Sequence, residues 1–218
     1  MKIAIDGPAG AGKSSVAKAV AQKLHMNYLD TGAMYRAVAY AFLSRNIDVN
    51  DHAAVLVGLP GLDIRVEYRD GRQQLFVDGV DVMPYIRTPE VSKGSSDVAV
   101  IPEVREKLVE LQRQVADAYD VVMDGRDIGT NVLPNADFKF YLTASPAERA
   151  KRRYLETRGQ HPEITVEQIE KDIVARDFTD VNRKLAPLRQ AEDALLVDTT
   201  NMGFEEVVAL VLSAITVK

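Results

Sequence analysis

The chain has 218 residues, 46% of them hydrophobic and 27% charged, with a formal net charge of −5. That length suits one α/β domain with a modest insertion, and the acidic balance disfavours a nucleic-acid binder, which usually carries a basic surplus. No cysteine is present, which excludes disulfides, thiolate metal sites and a cysteine nucleophile, and no two of the three histidines stand at metal-ligand spacing. The opening apolar run is too short for a signal peptide, and no segment approaches the roughly 20 apolar residues of a membrane span. A cytoplasmic location is the expectation.

Residues 3–5 read as a short buried strand, followed by a Gly-rich turn and a helix over about 13–25. Val16, Ala17, Val20, Ala21 and Leu24 give that helix one apolar face. A second strand spans 27–30, and a helix follows to about Arg45. The character then changes over 62–82. Leu62, Ile64, Val66 and Tyr68 alternate with polar residues, and Asp70-Gly71 and Asp78-Gly79 are hairpin signals. This stretch predicts a small antiparallel sheet inserted between helices. Pro102 opens a strong helix with Val104, Leu108, Leu111 and Val115 on one side.

Further strands are expected at 120–124 and 137–142. Ser145-Pro146-Ala147-Glu148 is a helix start: a capping Ser, Pro at the first position and an acid in the first turn. An Arg-rich helix, a turn over 159–163 and a second polar helix over about 166–183 come next. A last strand at 194–197 and an amphipathic helix over 204–215 close the chain. Strands alternating with helices predict a parallel sheet with helices on both faces.

Gly7-Pro8-Ala9-Gly10-Ala11-Gly12-Lys13-Ser14 matches the phosphate-binding pattern G-x-x-x-x-G-K-[ST], with a strand before it and a helix after it. Its glycines let several backbone N–H groups point at one phosphate, and the helix N-terminus adds partial positive charge. Lys13 can reach the β- and γ-phosphates of a nucleoside triphosphate, the Ser14 hydroxyl can ligate Mg²⁺, and Ser15 can add an α-phosphate contact. Asp124, ending an apolar strand, suits a carboxylate that holds Mg²⁺ through water. Asp30, ending the second strand, is a rival for that role. No Asn is followed by Lys, which argues against a guanine-nucleotide switch. A small kinase fits the length.

Three later segments carry the rest of the signal. They are Leu29-Asp30-Thr31-Gly32-Ala33-Met34-Tyr35-Arg36, Asp124-Gly125-Arg126-Asp127-Ile128-Gly129-Thr130, and Arg176-Asp177-Phe178-Thr179-Asp180-Val181-Asn182-Arg183. On spacing alone, Arg176, Asp180 and Arg183 read as a solvated ion-pair face. Arg105, in the polar stretch 103–107, reads as a surface residue. Taken in order with the phosphate loop and the 62–82 insertion, however, the chain resembles the bacterial cytidylate kinases over nearly its whole length.

The resemblance implies a three-layer P-loop kinase fold with a central parallel sheet, a small antiparallel β insertion and a helical lid. It implies a single domain: a core at about 1–30, 101–145 and 190–218, a nucleoside-monophosphate-binding insertion at 31–100, and a lid at 150–185. The implied reaction is ATP- and Mg²⁺-dependent phosphorylation of CMP or dCMP by a monomer with no nucleic-acid or membrane partner. Arg36, Arg126 and Arg183 would grip the acceptor phosphate, with Thr31 standing where the family often has Ser. Lys13, Arg126 and Arg183 would stabilise the transferring group. Arg176 and Asp180 would face the acceptor's sugar and phosphates. Asp127 would accept from the cytosine amino group, while Ser96 and Arg105 would donate to the ring acceptors, with Ser95 a neighbouring alternative. Arg149, Arg152, Arg153 and Arg158 are lid candidates for contact with ATP. An AMP or metabolite-hydroxyl kinase and a non-catalytic nucleotide-binding regulator are the competing readings.

Overall fold

The computed structural model describes residues 1–69, 71–159 and 163–216. Asp70 of the expected hairpin turn, and 160–162 of the expected 159–163 turn with its histidine, lie outside the described residues. The elements run β1 (Lys2–Asp6), α1 (Lys13–Lys23), β2 (Asn27–Asp30), α2 (Thr31–Leu43), α3 (His52–Gly58) and a 3₁₀ turn (Leu59–Gly61). Then come β3 (Ile64–Arg69), β4 (Arg72–Val77), β5 (Val80–Asp81), α4 (Pro89–Val98), α5 (Pro102–Ala118) and β6 (Val121–Gly125). A π-helical turn (Ile128–Val132) precedes β7 (Phe138–Thr143), α6 (Pro146–Thr157), α7 (Val166–Asn182), β8 (Leu195–Asp198) and α8 (Phe204–Thr216).

The main sheet has the strand order β2-β6-β1-β7-β8. β1 runs parallel to β7, with Ile3 opposite Phe138 and Ile5 opposite Phe140, and β7 runs parallel to β8. Ile3, Ala4 and Ile5 are fully buried, as expected where helices cover both faces of a parallel sheet. This is the α/β architecture read from the alternating elements. The chain divides into two compact units, one of residues 1–25 and 122–218, the other of 26–121.

In the first unit β6 and β1 are neighbours, so the loops at their carboxyl ends lie side by side, where open α/β sheets bind ligands. α1 packs on α8, and α6 packs on α7. The α6–α7 pair has its own small core of Ala150, Ile169 and Ile173.

The second unit holds the expected antiparallel sheet, in the order β3-β4-β5. Ile64 pairs with Val77 and Val66 with Leu75, one apolar face of the alternating pattern. Gln73 of β4 donates to the Asp30 carbonyl and accepts from the Asp30 N–H at 2.8 Å, pinning the end of β2. Two helices, α3 and α4, were not anticipated. α4 starts on Thr88, whose hydroxyl accepts from the Val91 N–H at 3.2 Å, with Pro89 in the first turn. It lies so close to α2 that a side chain at Gly94 would put its Cβ 3.3 Å from the Ala39 Cβ.

Candidate functional site

The phosphate loop is shaped by backbone. Gly7 has φ 144°, and a Cβ there would fall 1.9 Å from the Leu142 carbonyl oxygen, so only glycine fits. Gly12 caps α1 in the left-handed conformation, and no side chain caps that helix. Its first-turn N–H groups are therefore open to an anion. Lys13 is buried, and its ammonium donates to the Pro8 carbonyl at 2.7 Å. Burial, then the Arg126 guanidinium, push its pKa down to about 7, against the pull of Asp124 and Asp6. The Ser14 hydroxyl donates to Asp124 at 2.7 Å, joining the loop to the end of β6. Ser15 is exposed. The rival carboxylate, Asp30, is engaged as the N-cap of α2.

The end of β6 carries the second part of the site. Arg126 Nε donates to Asp180 on α7 at 2.9 Å, and an Arg183 N–H donates to Asp127 at 3.1 Å. Asp127 also accepts from Asn131 at 3.0 Å. Burial pushes the Asp180 carboxyl up, but Arg126, Arg176 and Arg183 together hold it below the usual carboxylate range. The side chains of Asp180 and Arg183 are only 13% and 8% exposed. The solvated ion-pair reading of α7 is thus corrected for this pair, while Arg176 stays exposed. The segment bearing Arg126 and Asp127 is held from beneath by Asp6, whose two oxygens accept the Ile128 and Gly129 N–H groups at 2.8 and 2.7 Å.

The second unit places its candidates separately. Thr31 opens α2 and is buried. Arg36, just over a turn further on, donates to Asp30 at 2.9 Å. Arg105 is 2% exposed, with its guanidinium 5.6 Å from the Tyr35 ring centroid and one N–H directed at the Ala99 carbonyl. A surface Arg105, as its polar neighbours suggested, is therefore wrong. Ser95 is buried and donates to the Ser92 carbonyl within α4. Ser96 is half-buried, with its hydroxyl bonded to no described residue.

The family model described as cytidylate kinase matches residues 3–217. The chain belongs to the cytidylate kinase family. It is 50% identical over 212 residues to a cytidylate kinase of Caldicellulosiruptor bescii, covering 97% of this chain and 94% of that protein. Against the cytidylate kinase of Desulfitobacterium hafniense it is 51% identical over 213 residues, covering 98% and 91%. A gluconokinase from Sinorhizobium meliloti shares the fold at a TM-score of 0.50 and 13% identity, over 99% of this chain and 91% of that one.

Of the four lid arginines that the family pattern singles out, two are tied down. Arg149 is buried and donates to the Ala144 and Ala9 carbonyls. Arg152 donates to the carbonyl and hydroxyl of Thr199 and to Glu148. Arg153 and Arg158 are exposed. Sequence reasoning passed over Asn131 and Asp177, which partner Asp127 and Arg149, and Asp6, which holds the Ile128 and Gly129 N–H groups next to Asp127. Asp6 stands directly before the loop, but as the last residue of a strand it carries no local signal of its partners.

Proposed function

We propose that this chain transfers the γ-phosphate of ATP to CMP or dCMP, giving ADP and CDP or dCDP. One observation carries the reading. Ser14 donates to Asp124, and Arg126 and Asp127 follow Asp124 at the same strand end, so donor and acceptor groups are built on adjoining residues. Family membership supports the acceptor class.

The triphosphate lies on the open N–H groups of the loop and of α1, with Ser15 toward the α-phosphate. Lys13 exchanges the Pro8 carbonyl for the β- and γ-phosphates. Ser14 would hold Mg²⁺ directly and Asp124 through water. An all-oxygen pair fits this hard cation, which takes few protein ligands and completes its shell with phosphates and water. When bound there, Mg²⁺ would supply neutralisation of phosphate charge.

Thr31, Arg36, Arg126 and Arg183 hold the acceptor phosphate. One of its oxygens attacks the γ-phosphorus in line, and the bond to the β–γ bridging oxygen breaks, leaving that electron pair on ADP. Lys13, Arg126 and Arg183 stabilise the charge that develops, which is the main catalytic demand of this reaction. Arginine suits it, being planar, bidentate toward phosphate and always charged.

Asp127 accepts from the cytosine amino group, and Ser96 and Arg105 donate to the ring acceptors. Arg176 and Asp180 contact the sugar and phosphates. Arg153 and Arg158 are the exposed lid candidates for ATP, since Arg149 and Arg152 are committed to backbone carbonyls. The same reading takes the working unit to be a monomer acting in the cytoplasm, with no nucleic-acid partner. Among the described residues, no helix is long and apolar enough to cross a membrane.

Initial rates with ATP and each of CMP, dCMP, UMP and AMP test the reading. CMP and dCMP turn over fastest; fast AMP turnover with none on CMP would overturn it.

A further inference from the structure

Arg149 stands in the first turn of α6 with its side chain almost wholly buried. Its guanidinium makes three contacts, two to backbone carbonyls and one to a carboxylate. Nε donates to the Ala144 carbonyl at 2.9 Å, at the end of the segment entering α6. One terminal N–H group donates to the Ala9 carbonyl, inside the phosphate loop, at 2.9 Å. The same nitrogen pairs with Asp177 of α7 at 2.6 Å. Gly10 closes the arrangement: a Cβ there would sit 3.1 Å from the Arg149 Cβ, so the loop is pressed against this residue by backbone as well as by hydrogen bond. Asp177 lies between Arg176 and Asp180 in sequence, on the helix that meets Arg126 and Arg183.

We infer that Arg149 is a positioning residue. It holds the curl of the phosphate loop through Ala9 and anchors that hold on α7 through Asp177, so one guanidinium sets the donor loop against the acceptor-side helix. This deepens the donor assignment proposed above and rests on it. A planar fork is required, because a lysine ammonium cannot keep the Ala144, Ala9 and Asp177 contacts in their separate directions. Asp177 is the informative partner, since it reaches the loop by contact through Arg149, and its direct electrostatic effect on bound phosphate has the opposite sign.

The test is ATP affinity without acceptor, measured by MgATP displacement of a fluorescent ATP analogue, for the wild type, Asp177→Ala and Arg149→Lys. Freed of its anchor, the loop binds MgATP roughly ten-fold more weakly in Asp177→Ala, the scale of losing one hydrogen bond to a charged group. Arg149→Lys weakens it similarly, although charge is kept. Simple electrostatics gives the opposite sign for Asp177→Ala, because removing an anion near the phosphates tightens ATP. Unchanged or tighter ATP binding in Asp177→Ala overturns the inference, as does a lowered melting temperature with ATP affinity intact. Should Arg149→Lys fail to fold, Asp177→Ala decides alone. Wild-type turnover on CMP is scored separately: its absence would sink the proposed reaction, while the ATP measurement would still judge Arg149.

Discussion

The phosphate loop and the arginines proposed to hold the acceptor are built by opposite means on an acidic protein. The loop uses backbone: glycines at 7, 10 and 12 with positive φ, and a helix start that no side chain caps. The proposed acceptor groups are side chains held by carboxylates: Arg36 by Asp30, Arg126 by Asp180, Arg183 by Asp127. Pairing keeps each guanidinium oriented before substrate arrives, and exchange of a carboxylate for a phosphate leaves the local charge balanced. A buried arginine with no such partner would be costly. The loop is thus preformed by chain geometry, whereas each of these arginines is preset by an ion pair, which in the proposed reaction the acceptor would compete with.

Breaking the donor side has the largest effect. Lys13→Met, which keeps bulk and removes charge, lowers kcat roughly 10³-fold in a coupled ADP-release assay, with the melting temperature little changed. Retained turnover would mean that backbone alone carries the donor site.

The support beneath the segment bearing Arg126 and Asp127 comes next, through pH. Burial raises the Asp6 carboxyl from its usual 3.8 to about 6, against its two backbone donors. The folded chain therefore holds that proton more tightly than the unfolded one. The stabilising term is full below pH 3.8 and is lost as pH rises through about 6, by about 3 kcal/mol in all. Denaturant unfolding of wild type and Asp6→Asn across pH 4–7 reads it as a wild-type-minus-variant stability that falls with rising pH; a constant difference would place Asp6 outside this account.

Selectivity breaks on the acceptor side alone. Asp127→Ala reduces the CMP-over-UMP ratio of kcat/KM by about 2 kcal/mol, roughly 30-fold, because a carboxylate that accepts from the cytosine amino group is gone. ATP affinity stays within two-fold. Equal loss on both acceptors would assign Asp127 to holding Arg183 rather than to reading the base. The smallest effect sharpens the ion-pair side. Arg36→Lys raises the acceptor KM about ten-fold without moving the ATP KM, since lysine keeps charge but loses the bidentate fork.

The same contrast explains what was legible. The loop is eight contiguous residues with a strand before and a helix after, so local chemistry alone identified it. The β insertion was equally plain in its two-residue alternation. α4 was missed although Thr88-Pro89-Glu90 repeats the capping signals of Ser145-Pro146-Glu148; its stretch from Val91 to Val98 has only a sparse apolar stripe, and the helix is held by close approach to α2 at Gly94. Arg105 was misread because its sequence neighbours are charged, while its burial against Tyr35 is a property of the folded unit.

By itself the sequence determined the alternating α/β layout, the donor loop with Lys13 and Ser14, and, through ordered motifs, the family. Only the tertiary structure decided which charges meet. Arg126 finds Asp180 across 54 residues, and Arg149 finds Ala9 across 140. It ties Arg149, a candidate for ATP contact, to the Ala144 and Ala9 carbonyls, and it sets Asp6 under the Ile128 and Gly129 N–H groups that follow Arg126 and Asp127. The reason is physical. Backbone conformation is set by neighbours in the chain, whereas burial and ion pairing are set by neighbours in space.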